Sequence, residues 1–317
     1  MAHWRIALGL VGLLAIGACT EFDDTVATPV AQAAPEPIDL SGPKANSLFA
    51  ARPTPSEGAP TPIGGYAKGC AAGLQALPES GPTWQAMRLS RNRYWGHPET
   101  IDYLQKLSAF ASTQPGWEGL YIGDLSQPRG GPMLTGHQSH QNGLDADIWM
   151  LPPKRLNLSA TERENISSIA ITNDFKRLNG NWTPQHAAVL EAAARDERVD
   201  RIFVTAPVKI ALCQSATRAD REWLQKIRPF WLHNYHFHVR LKCPADAPDC
   251  VTQTPSVAEL SNGGDGCDES LNWWVTTALE PAEPDPDAPP APKRRNARDL
   301  VMAELPKQCE AVLNAPG

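Results

Sequence analysis

Two short segments constrain the fold of this chain more than anything else in it. Residues 144–149, LDADIW, and 236–241, HFHVRL, alternate strictly, and in a β-strand successive side chains point to opposite faces of the sheet. The first segment therefore sends Asp145, Asp147 and Trp149 one way, and Leu144, Ala146 and Ile148 the other. The second sends His236, His238 and Arg240 one way, with Phe237, Val239 and Leu241 packing behind. Two strands of one sheet with these faces in common present imidazoles and a carboxylate across a shared cleft. Five of the eight histidines, His137, His140, His233, His236 and His238, fall in or just before these strands. Three ligands of this kind with an open fourth position describe a catalytic zinc site.

Taken residue by residue, the segment GHQSHQNGLDADIW (136–149) also admits half of a nucleophilic triad or a polar turn. Asp145 reads either as a turn cap or as the carboxylate that orients a histidine. His233 reads as a surface residue at the end of a preceding helix. His97, in YWGHP, reads as part of a turn, and His186 as a solvated residue in the exposed first turn of a helix.

Around these strands the chain alternates short apolar runs with helical patterns. PETIDYLQKLSAFAS places Ile101, Leu104, Leu107 and Phe110 at helical spacing after Pro98. TPQHAAVLEAAARDERV predicts a second helix, with Thr183 as N-cap and Pro184 at its first position, and RADREWLQKIRPF a third. WEGLYIGDLS and RIFVT read as strands. The expected class is α+β: a central, mostly antiparallel sheet with flanking helices.

The N-terminus reads as an export signal. Arg5 precedes the apolar run Ile6 to Ala18, which is too short for a comfortable membrane span. IGAC then sets small residues directly before Cys19, which suits either an ordinary cleaved signal ending in small residues or the pattern in which the cysteine becomes a lipid-modified first residue. The chain has seven cysteines, and setting Cys19 aside leaves six that an exported protein pairs into disulfides. No CxxC pair suggests a structural zinc cluster. The expected organisation is a signal peptide at 1–18, a Pro/Ala-rich tether at 19–63 and a catalytic domain at 64–280. A Pro-rich spacer with a disulfide-linked tail follows at 281–317. The net charge of −6 provides no basic footprint for a nucleic acid. The only membrane association expected is through the N-terminal lipid, which would hold a periplasmic protein to the outer membrane.

Beyond single residues, SHQNGLDADIW, HFHVRLKCPADAPDC, GGDGC, RIFVTAPVKIALC and RNRYWGHPETIDYLQKL resemble the penicillin-insensitive murein endopeptidases. These are periplasmic members of the LAS group of metallopeptidases, and the resemblance runs over roughly residues 60 to 275. That group has a histidine and an aspartate separated by six residues, here His140 and Asp147, and a later H-x-H, here His236 and His238. The resemblance implies that His140, Asp147 and His238 hold Zn2+ and that His236 is the catalytic histidine. His137 and Asp174 match two positions of extra metal ligands in the family, whereas the third, a histidine, is Arg177 here. The implied disulfides are Cys70–Cys309, Cys213–Cys267 and Cys243–Cys250. The implied substrate is peptidoglycan, cleaved at the D-alanyl–diaminopimelyl cross-link. Rival readings are a D,D- or L,D-carboxypeptidase of the same fold group and a non-catalytic metal-binding envelope lipoprotein.

Overall fold

The alternating segments become neighbouring central strands of a six-stranded sheet. The computed structural model describes residues 39, 41–217, 219–281 and 295–317. The expected signal peptide, Cys19, the first half of the expected tether and most of the expected Pro-rich spacer lie outside the described residues. The first half of the described chain forms α1 (Ala45–Ala50), β1 (Thr61–Gly65), β2 (Lys68–Ala72), β3 (Gln75–Ala76), β4 (Trp84–Ala86), β5 (Trp95–Gly96), α2 (Pro98–Ala111), β6 (Leu120–Ile122) and β7 (Asp145–Trp149). Next come α3 (Ala160–Asn165), α4 (Pro184–Arg195), β8 (Val199–Val204), α5 (Ala206–Ser215), β9 (Ile227–Pro229) and β10 (His236–Leu241). The last helices are α6 (Val257–Leu260), α7 (Ser270–Val275) and α8 (Gln308–Asn314).

The sheet order is β4-β6-β7-β10-β8-β9. Its three inner junctions are antiparallel, and the outermost pairs, β4–β6 and β8–β9, are parallel. This is the expected α+β architecture. Ala146, Ile148, Phe237, Val239 and Leu241 point into the main core, where the apolar faces of α2 and α4 cover them. The opposite face of the same two strands is left to carry polar groups.

Several local expectations change. RADREWLQKIRPF is a 3-10 turn at Glu222–Lys226 followed by β9. Ile227 and Pro229 pair beside β8, and an edge strand tolerates the missing N–H of proline. The helix lies upstream instead, in α5, whose Pro207 sits in its first turn. His186 is buried, not solvated: its Nε2–H donates to the Met150 carbonyl at 2.8 Å, and its ring packs against Trp117 and Trp182. His97 is the N-cap of α2, its Nδ1 accepting from the Glu99 N–H.

Part of residues 45–63, expected as tether, contributes to a second small core. Ala45 and Phe49 of α1 and Ile63 of β1 pack there with Leu305, Val312 and Leu313 of the C-terminal segment. The Cys70–Cys309 disulfide lies in this cluster, and Cys213–Cys267 and Cys243–Cys250 are also formed. Among the described residues, buried Arg129 has only carbonyl acceptors, on Thr54, Val312, Leu313 and Ala315, so it fastens the end of α8. Cys309→Ser removes a crosslink spanning 239 residues of sequence. It is expected to cost about 2–5 kcal/mol in reversible unfolding and to expose the tail to proteolysis. A melting temperature equal to wild type would show that the tail docks without the bond. No helix among the described residues is long and apolar enough to cross a membrane.

Candidate metal centre

The register of β7 against β10 makes the site. His238 lies opposite Asp147, Arg240 opposite Asp145 and His236 opposite Trp149. Side chains directly across an antiparallel pair are close enough to interact, so two strands about ninety residues apart in sequence supply three facing pairs. The loop before β7 brings His140. It has φ of +66°, an uncommon value for a non-glycine residue. Its backbone is fixed on both sides: His140 N–H donates to Asp145 Oδ2 at 2.9 Å, and Ser126 Oγ donates to the His140 carbonyl at 2.6 Å. Gly143, with φ of +81°, ends this loop where a Cβ would lie 2.5 Å from Leu74 Cδ2 and 3.1 Å from the His97 nitrogen. Glycine is therefore required there.

Three donor atoms converge. His140 Nε2 lies 3.1 Å from His238 Nδ1 and 3.3 Å from Asp147 Oδ1, and His238 Nδ1 lies 3.2 Å from the same oxygen. The two contacts to Asp147 Oδ1 are close but poorly directed, so that oxygen is buried without a hydrogen-bond partner. Donors at about 2.0–2.1 Å from a tetrahedral zinc are separated from each other by about 3.3 Å, the edge of that tetrahedron. The residues present therefore fit a small divalent cation. His137, His140 and Asp147 also bring ligand atoms within 4.8 Å of one another, so the described residues offer His-His-Asp sets around one carboxylate.

The shell around Asp147 is ordered by charge. Burial opposes its ionisation, but His236, His137 and His140 hold its carboxyl well below the usual range. Burial, reinforced by His137, pushes His140 down to about 4, so it is neutral near pH 7. For His238, burial is outweighed by Asp145 and Asp147, and its proton affinity is raised. Asp145 accepts from Arg240 Nε at 2.8 Å and Nη2 at 2.9 Å and sits 3.1 Å from His238 Nε2. It thus acts on both histidines of the trio, fixing the His140 backbone and flanking the far side of the His238 ring. The Arg240 guanidinium is enclosed by the Tyr66 and Phe203 rings.

The other sequence candidates separate. His236 Nε2 is 3.5 Å from Asp147 Oδ2, and the side chain is partly exposed to a cleft of about 500 Å³. His137 lines the same cleft, with Nδ1 3.5 Å from Asp147 Oδ2 and Nε2 3.1 Å from Asp124 Oδ2. Asp174 does not join them. It is exposed, and its carboxylate accepts from the Lys176 and Arg177 N–H groups of its own loop.

Sequence reasoning missed two groups. His233 is no helix-end surface residue: its ring lies 5.0 Å from His236 and 5.9 Å from His238, and burial pushes it down to about 3. Asp124 is buried and gathers His137, Arg91 and Arg93 on one oxygen. The only signal for Asp124 was the Gly-Asp after a strand, which is too common to single out.

A sheet whose polar face gathers buried imidazoles and a carboxylate at the floor of an open cleft has the layout of a metallopeptidase. The family model described as penicillin-insensitive murein endopeptidase matches residues 62–314. A protein named penicillin-insensitive murein endopeptidase from Haemophilus influenzae is 41% identical over 267 residues, covering 84% of this chain and 87% of its own length. Proteins of that name from Yersinia pestis and Klebsiella pneumoniae are 38% and 36% identical, each over 82% of this chain and 88% of their own. The chain belongs to the penicillin-insensitive murein endopeptidase family, a family of metallopeptidases.

Proposed function

We propose that this protein is a zinc-dependent murein endopeptidase of the periplasm that hydrolyses the D-alanyl–meso-diaminopimelyl cross-links of peptidoglycan. Lipidation of Cys19 would tether it to the outer membrane. The observation that carries this reading is the convergence of His140 Nε2, His238 Nδ1 and Asp147 Oδ1 within 3.1–3.3 Å of one another beside an open cleft. The names borne by the relatives supply the substrate class.

His140, Asp147 and His238 would hold the cation, which when bound supplies Lewis acidity toward the scissile carbonyl and acidifies water. Asp145 and Arg240 keep the His140 backbone and the His238 ring in place, so the trio is preorganised before substrate arrives. His236 faces the cleft at Nε2 and lies outside the trio. Burial lowers its proton affinity, so its imidazole is unprotonated near pH 7. It accepts a proton at Nε2 from the attacking water and returns it to the departing amine. No serine is acylated in this scheme, which accounts for insensitivity to β-lactams.

His236→Ala separates the enzyme from a metal carrier: the enzyme retains its metal and loses cleavage by about 10²–10⁴-fold, whereas a carrier loses metal. Mass spectrometry of products from cross-linked muropeptide dimers separates endopeptidase from carboxypeptidase. Release of terminal D-alanine with dimers left intact would contradict the proposal. Because burial lowers the proton affinity of His236 below the ordinary 6.5, the acid limb of kcat/KM should be centred below pH 6.5. An acid limb centred above 6.5 would remove His236 as the base.

A further inference from the structure

We propose that Arg88 sets the substrate preference of the cleft: its guanidinium receives the free carboxylate carried by the residue on the amine side of the scissile peptide bond. The proposal rests on the endopeptidase reading above and adds to it the chemical feature by which substrate is chosen.

Three arginines reach this region from one loop, and two of them are already engaged. Arg91 and Arg93 each place Nη1 on Asp124 Oδ2, at 3.0 and 3.1 Å. Arg88 lines the cleft with Asp124, His137, Asp147 and His236, yet among the described residues it forms no ion pair. Its one side-chain hydrogen bond there is a long one, 3.4 Å, to the Arg163 carbonyl. Glu164, on the neighbouring helix end, gives its carboxylate to the Ser90 N–H and hydroxyl instead. A guanidinium that lines a binding cleft and makes no ion pair there, Glu164 acting on it only through space, is suited to an anionic ligand.

The chain holds this cation in place with unusual backbone. Arg88 has φ of +58° and Asn92 φ of +52°, so two non-glycine residues in the left-handed region bracket the 3-10 turn at Leu89–Arg91. Such conformations persist where the surroundings over-determine them, and they concentrate at functional sites. Here the Arg88 N–H is bonded to the Arg163 carbonyl, Ser90 to Glu164, and the Asn92 side chain to the Pro53 carbonyl and the Trp95 indole. The Arg88 guanidinium lies over the Trp149 ring, 5.5 Å from its centroid, and apart from the long bond of Nη1 to the Arg163 carbonyl its N–H groups make no hydrogen bond among the described residues.

The spacing suits the chemistry. Trp149 follows Asp147 by two residues on β7, so both point to one face, about 6.8 Å apart along the strand. The carboxylate of the residue after the scissile bond is carried on the Cα attached to the scissile nitrogen, so it lies within one residue of the scissile carbonyl. Arg88, Trp149 and Asp147 line one cleft, so a peptide seated at the metal centre passes beside the guanidinium over Trp149. The proposed cross-link has this group, because the diaminopimelyl residue carries a free carboxylate next to its cross-linked nitrogen.

The test uses two synthetic cross-linked peptide dimers, identical except that this carboxylate is a carboxamide in one. The wild-type protein should prefer the carboxylate dimer by about 10–100-fold in kcat/KM, carried mainly by KM. Arg88→Gln should lose that factor on the carboxylate dimer and stay within about 3-fold of wild type on the carboxamide, whereas Arg88→Lys keeps part of the preference. Equal losses on both dimers, or no preference in the wild type, would overturn the proposal while leaving the peptidase reading intact. If the wild type cleaves neither dimer, the functional reading fails separately. Calorimetric binding of the same uncleaved dimers then decides on Arg88: a carboxylate preference lost in Arg88→Gln upholds it, and equal affinities overturn it.

Discussion

Asp147→Asn is expected to leave a folded protein that neither holds metal nor cleaves. The substitution keeps the shape of the side chain and removes its charge from the one carboxylate that four imidazoles approach. His140 and His238 face its Oδ1 at 3.3 and 3.2 Å, and His137 and His236 each lie 3.5 Å from its Oδ2. Loss of a partner outside the donor set lowers metal affinity by about 10–100-fold, so loss of a donor should exceed that, with kcat/KM down by at least about 10³-fold. Stability of the metal-free protein should change little, because no arginine or lysine depends on Asp147 for its charge balance among the described residues. Metal content by mass spectrometry and turnover of muropeptide dimers check both halves. A variant that keeps a full equivalent of metal and a tenth of the activity would remove Asp147 from the donor set.

Asp145→Asn should act in the opposite proportion, mainly on stability. It leaves the Arg240 guanidinium, 6% exposed and flanked by Tyr66 and Phe203, without its bidentate carboxylate. Removing one partner of a buried ion pair costs about 3–5 kcal/mol, because the other charge stays buried and unpaired. The His140 backbone and the His238 ring lose their anchor together, so zinc affinity should also fall by about 10–100-fold. Replacing both partners, as in Asp145→Asn with Arg240→Met, should recover much of the stability and none of the zinc affinity. Urea unfolding of the metal-free proteins and competitive zinc titration measure the two effects. A double variant no more stable than Asp145→Asn would mean that the ion pair is not the source of the loss.

The strands that carry the site were legible because their alternation is strict. The period of two assigns Asp145, Asp147, His236, His238 and Arg240 to one face without reference to any partner, and the register of β7 against β10 then sets them opposite one another. What was not legible depends on contacts from distant sequence. Asp124 acquires its importance from Arg91, Arg93 and His137, and Arg88 from Trp149. Helix α5 escaped because Ala206, Val208, Lys209 and Leu212 are all buried, so it lacks the polar stripe that marks a surface helix. RADREWLQKIRPF shows the converse: its periodicity suits a helix, but β8 takes Ile227 to Pro229 as a parallel edge partner. The role of residues 45–63 emerges only once α8 closes on them, since proline-rich composition says nothing about a docking surface elsewhere in the chain.

In the proposed function, one cation held by His140, Asp147 and His238 is needed to cut peptidoglycan cross-links. The most direct measurement of this need is cleavage of purified cross-linked muropeptide dimers by the metal-stripped protein during titration with zinc. Dimer cleavage should be absent in the stripped protein and rise to a plateau at one equivalent of zinc, and His140→Ala should stay inactive throughout. Cleavage that persists after complete chelation, or that His140→Ala retains, would contradict the account.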